Sequence, residues 1–208
     1  CRLINACPFY RVNINHFVAP QVEVRQVSNM HESLKKIVTI AARFLKKEDD
    51  AILNSIKNNQ IAYKNKSGGL LRINNERYYQ FIIAKGLIAE YEYPIEIEKN
   101  TYDLVVLDGN RYKTVVEMKR WMSSTGKSEI DGIKVDINNK LLPSDSERAL
   151  MLIFSANPSS ISIQENVSWL SEKLNIKYDS NKWHVESFDT LSANGESTVF
   201  WIAGIEIK

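Results

Sequence analysis

The sequence is poor in cysteine and histidine and almost neutral in charge. Its two cysteines, Cys1 and Cys7, stand near the start of a 208-residue chain. The remainder offers no disulfide and no thiolate ligand, which excludes a disulfide scaffold and a cysteine zinc site there. The three histidines, His16, His31 and His184, are scattered and lack zinc-site spacing. Formal net charge is +2, so the chain as a whole is no electrostatic magnet for nucleic acid, and any basic surface has to be local. Long apolar runs are absent too. IVTIAARFL stops short of a membrane span and lysines flank it, so no membrane partner is expected.

What is present suits a folded domain. Hydrophobic residues make up 44% of the chain and aromatics 10%, enough to bury a sizeable core in one domain with an extension. Residues 1–29 differ from the rest. They hold both cysteines and little helical periodicity, with no basic start and apolar h-region of a signal peptide. The expectation is an extension of unknown role ahead of Met30, which would be the natural start. That segment carries three arginines and one glutamate, so the remainder is balanced in charge.

From Met30 the periodicity becomes regular. Residues 31–47, HESLKKIVTIAARFLKK, place Leu34, Ile37, Val38, Ala41, Phe44 and Leu45 at helical spacing opposite a lysine-rich face. Residues 48–59, EDDAILNSIKNN, read as a second, short helix with acids in its first turn. Residues 30–69 are expected to form a helical part packed on the core. YKNKSGG is a polar loop, and NNERYYQFIIAKGL a helix capped by asparagine and ending near Gly86.

Period two then takes over. YEYPIEIE reads as a strand, with Pro94 suggesting an edge or bulge. YDLVVLD and YKTVVEMK form a hairpin around Asp108, Gly109 and Asn110. SSTGKS is a loop without phosphate-loop spacing. EIDGIKVDINNKLL returns to helical spacing, ALMLIFSA is a strand buried on both faces, and SISIQENVSWLSEKL a helix with a cap at Ser160. KWHVESF and STVFWIAGIEI close the chain as strands. The expected fold class is α/β, a central mixed sheet flanked by helices on both sides.

The hairpin carries charges at its open end. Asp103 opens one strand; Glu117 and Lys119 close the other. Carboxylates and main-chain carbonyls suit Mg²⁺. Lys119 shares the face of Glu117 and could orient a water or stabilise negative charge, so metal, lysine and water together make a site for attacking a phosphodiester. Asp103 and Glu117 have the same parity, so a plain two-residue turn would put them on opposite faces. The site therefore requires an odd loop or a bulge. Read singly, Asp103 ends a strand, and Glu117 and Lys119 form a solvated strand end.

Together, Asp103 and Glu117-Met118-Lys119 resemble the PD-(D/E)xK nuclease superfamily, the restriction endonuclease-like fold, over roughly residues 70–156. The resemblance implies a core of helix, three strands, helix and strand. It implies that Asp103, Glu117 and the Met118 backbone carbonyl hold metal, that Lys119 is catalytic, and that Glu76 in the first core helix, with Gln80 one turn on, supports the site. Tyr102 stands where the family often has proline. The helix after the lysine lacks the glutamine-x-x-x-tyrosine of RecB-like members and offers Lys134, Asp136 and Lys140, which leaves the subfamily open. Asp136 and Lys140 read most simply as a surface helix pair.

The implied activity is Mg²⁺-dependent phosphodiester hydrolysis, with Mn²⁺ as a substitute. The expected protein is a microbial, cytoplasmic endodeoxyribonuclease of restriction, defence or repair type, acting alone, as a homodimer or in a larger complex. Arg120, Trp121, Lys127 and Lys134 are weak candidates for nucleic-acid contact. The alternatives are a catalytically silent nucleic-acid- or protein-binding module on the same fold, or a subunit that docks through its N-terminal helices. A second Glu-x-Lys, Glu206-Ile207-Lys208, lacks an upstream aspartate on a paired strand and reads as a decoy.

Overall fold

The computed structural model describes residues 19–60, 68–121, 127–160 and 162–208, with side chains omitted at 19–32 and 127–128. Helix α1 (Ala19–Lys57) is followed by a short 3₁₀ turn (Leu70–Arg72), α2 (Glu76–Glu90) and three strands, β1 (Ile95–Lys99), β2 (Tyr102–Asp108) and β3 (Arg111–Trp121). Helix α3 (Lys127–Asp136) runs into a π turn (Ile137–Leu141), then β4 (Arg148–Pro158), α4 (Ile163–Leu174), β5 (Trp183–Leu191) and β6 (Ser197–Glu206). The strands form one mixed sheet in the order β1-β2-β3-β4-β6-β5. Only β3 and β4 run parallel, joined by the α3 crossover; the other pairs are antiparallel. The α/β class and the element order from residue 70 agree with the sequence, and β1, which follows Pro94, is an edge strand.

Alternation along the strands sorts the two faces. Leu104, Val106, Val116, Met118, Leu150, Leu152 and Phe154 pack with α1 and α2. Val105, Val115, Trp121, Met151, Ile153 and Trp201 pack with α3 and α4. β4 contributes to both clusters, which is why its sequence is a continuous apolar run.

The first helix departs from expectation. Residues 31–47 and 48–59 do not form two helices; α1 is continuous from Ala19 to Lys57 and also crosses the expected boundary at Met30. Beyond Pro20 in the first turn, no glycine or proline interrupts this stretch. The acids at 48–50 looked like a helix start, but the Asp49 carboxylate has a tertiary task. It is fully buried, and its Oδ1 accepts from Leu70 N and Thr190 Oγ1, both at 2.8 Å. A Cβ on Gly69 would stand 2.1 Å from that oxygen, so the main chain reaches Asp49 only because residue 69 is glycine. Gly204 plays the same part beneath α1, where a Cβ would meet Val38 Cγ2 at 2.4 Å.

Two helix boundaries also shift. Asn75 caps α2 by accepting from Arg77 N, but the helix continues past Gly86 to Glu90. Gly86 is an internal contact point, where a Cβ would press on Phe44 of α1. The N-cap of α4 is Ser162, not Ser160, and its side chain makes no capping bond. Of the loop expected at 123–128, residues 123–126 lie outside the described residues, while Lys127 and Ser128 already belong to α3.

Candidate metal and hydrolytic site

The hairpin turn itself is short: Asp108 pairs with Arg111 across Gly109-Asn110, and Gly109 takes φ +60°. The register then slips between Val106 and Leu107. Leu107 opposes Tyr112, whereas Val106 opposes Thr114, leaving Lys113 as the extra residue of a bulge. Beyond the bulge Leu104 pairs with Val116. Continuing that register by one residue sets Asp103 opposite Glu117, on one face of the sheet. The parity problem posed by the sequence is thus resolved by one inserted residue.

On that face Asp103 Oδ2 accepts from Met118 N at 2.7 Å, which fixes the carboxylate across the two strands. Glu117 is 2% exposed. Its Oε2 accepts from Lys140 Nζ at 2.7 Å, while its Oε1 is buried with no hydrogen-bond partner. Lys140 also reaches Asp136 Oδ1 at 3.1 Å. Burial pushes Asp103 above the usual carboxylate value, against the pull of the Met118 amide and Lys140. Burial pushes Glu117 up to about 7, with Asp103 adding to the rise and Lys140 opposing it. Burial disfavours the Lys140 charge, but its bonds to Glu117 and Asp136 outweigh that and raise its pKa.

Lys119 lies two residues past Glu117 on the same face, with its Nζ 3.9 Å from Glu76 Oε1. Its stem runs beside Gly132 of α3, where an added Cβ would stand 3.5 Å from Lys119 Cε. Glu76 Oε2 accepts from Arg120 N at 2.8 Å. Glu76 is therefore held by Lys119 and the β3 main chain. Glu76 is also an electrostatic neighbour of Asp103. Among the described residues no three His, Cys, Asp or Glu side chains converge as a ready-made metal cluster.

The other candidate contact residues have these surroundings. Arg120 points to the α2 side of the sheet, 8% exposed, with its Nη1 on Asn74 Oδ1 at 2.7 Å and its guanidinium over the Tyr79 ring. Its guanidinium is engaged in packing between α2 and the sheet. Trp121 is buried too, stacked on Trp169 with centroids 5.0 Å apart. The Lys127 side chain lies outside the described residues. Lys134 lies away from the carboxylate pair, on a groove of about 500 Å³ shared with Ile137, Lys177 and Lys182. His184 pairs with Glu186 at 2.9 Å. In the second Glu-x-Lys, Glu206 is buried against Arg148 at 2.8 Å and Lys208 Nζ donates to Ser144 O, so both are structural. On α1, Lys36 and Lys46 form ion pairs with Glu92 and Asp50 on a solvated face.

Lys140 is the residue that sequence reasoning undervalued. Its pairing with Asp136 exists, but its ammonium turns onto Glu117 rather than to the surface. The signal was present: Gly132, Asp136 and Lys140 recur at four-residue spacing on one face of the helix after Lys119. The apolar positions of α3 and the π turn fix which face that is, because Ile130, Ile133 and Ile137 are buried in the core on that side of the sheet.

No protein-family model matches the chain, and no curated protein or solved structure compared with it matches either.

Proposed function

We propose that the chain is a Mg²⁺-dependent nuclease of the PD-(D/E)xK type, acting on DNA. The observation that carries this reading is the bulge-enforced pairing of Asp103 with Glu117, one oxygen of which is buried without a partner. A buried carboxylate oxygen left unpaired is costly, and hard oxygen donors on adjacent strands fit Mg²⁺. In this reading Asp103, Glu117 and the Met118 carbonyl would hold the ion. When bound, it would polarise the phosphodiester and lower the pKa of a water. Lys119 orients the attacking water or neutralises charge on the phosphate, and Glu76 acts by fixing that ammonium. DNA rather than RNA rests on the resemblance, which is an analogy.

A second reading has its own observation. Lys140 already neutralises Glu117, which is nearly closed to solvent, and a filled site suits a binding module without turnover. One assay separates them: nicking of supercoiled plasmid with Mg²⁺, Mn²⁺ or EDTA, for wild type and Lys119→Ala. The nuclease reading expects metal-dependent cleavage that falls by about 10²–10⁴-fold in the variant. Cleavage unchanged in Lys119→Ala removes the lysine from the mechanism. No cleavage by either protein favours the module.

A further inference from the structure

Lys140 stands where a cation belongs. Its Nζ lies 2.7 Å from Glu117 Oε2 and 3.1 Å from Asp136 Oδ1, and it is an electrostatic neighbour of Asp103. Glu117 keeps its other oxygen buried and unpartnered, so the ammonium satisfies half of that carboxylate and leaves the rest. The backbone that carries Lys140 is unusual. It lies in the π turn Ile137–Leu141, closed by Leu142 N to Ile137 O at 2.9 Å. Such single π turns inside helices are rare and cluster at functional sites. The Lys140 carbonyl accepts from Tyr102 Oη at 3.3 Å, tying this turn to the residue before Asp103. The Lys140 side chain is 31% exposed against 3% for Glu117, so the lysine has a way out to solvent and the glutamate has none.

We propose that Lys140 is a resident counter-cation of the Asp103–Glu117 pair, displaced to solvent when a divalent ion binds, so that it sets the metal affinity of the site. The inference rests on the metal-site reading above. An ammonium and a divalent ion held on the same carboxylate repel each other at close range in a partly buried site, which favours the swing of Lys140 to solvent. Lys140 keeps Glu117 neutralised without metal, and the ion must outcompete a tethered charge. The tether is the π turn, pinned through Tyr102, while the flexible stem allows the ammonium to swing away. Asp136, one turn back, remains as the partner of the displaced lysine.

Calorimetric titration of Mg²⁺ and Mn²⁺ into the full chain tests this, for wild type, Lys140→Met and Asp103→Asn. The expected result is about tenfold or greater tightening in Lys140→Met, from removal of the competing charge, and weakening in Asp103→Asn. If wild type binds and Lys140→Met binds equally or more weakly, the proposal fails while the metal site stands. If none of the three binds a divalent ion, the proposal and the metal-site reading fail together. Wild-type protein supplies a second measurement that needs no variant: lysine acetylation read by mass spectrometry with EDTA or saturating Mg²⁺. Lys140 should become severalfold more reactive with Mg²⁺, with exposed Lys134 as the unchanged reference. Lys140 reactivity that does not rise overturns the displacement.

Discussion

Glu117→Gln should stabilise the metal-free protein at neutral and alkaline pH. The wild-type glutamate is almost completely buried, and burial raises its pKa from 4.5 to about 7. The folded state therefore holds the proton more tightly than the unfolded chain does. As pH rises above about 4.5 the unfolded chain releases its proton first, and stability falls until the folded carboxyl also ionises near 7. Each tenfold difference in proton affinity is about 1.4 kcal/mol, so the gap amounts to a ceiling of about 3 kcal/mol by pH 8. Glutamine keeps the volume and an acceptor for Lys140 but cannot ionise, so it should recover up to that amount. Lys140 is partly exposed and retains Asp136, so its loss of an ionic partner subtracts little. The assay is urea denaturation in EDTA from pH 4 to pH 9. The variant's advantage should be near zero at pH 4, grow through pH 5–7, and level off above. Parallel curves for the two proteins, or a less stable variant at pH 8, would refute the burial argument.

Other outcomes follow from single contacts. Asp49→Ala strands Leu70 N and Thr190 Oγ1 and should cost about 1–3 kcal/mol. Asp49→Asn should cost less, because its amide oxygen can still accept from both donors and it removes a charge that burial penalises. Denaturant melts at pH 7 compare the two, and equal losses would mean that the carboxylate charge itself is needed at this position. Gly204→Ala drives a methyl into Val38 and Leu34 beneath α1 and should lower stability by about 1–3 kcal/mol in the same assay. Glu206→Ala breaks the buried ion pair with Arg148, at a cost of about 3–5 kcal/mol, while plasmid nicking per folded molecule should not change.

Local pattern determined much of this protein before any coordinates. Period two marked β2 and β3, a continuous apolar run marked β4, and helical spacing marked the buried stripe of α1, because each depends on residues a few positions apart. The parity of Asp103 and Glu117 even required the irregularity found at Lys113. Only the tertiary structure decided what distant charges do. Asp49 resembled a helix start and proved to be an internal anchor, since its partners lie 21 and 141 residues away. Arg120 and Lys119 are adjacent in sequence, yet strand alternation sends one to pack on Tyr79 and the other toward the carboxylates. Lys140 looked like half of a surface pair, and only the crossover of α3 between two parallel strands carries it over Glu117. Periodicity records which face a residue occupies; what waits on that face is set by contacts that close long loops, and those are written in burial and shape.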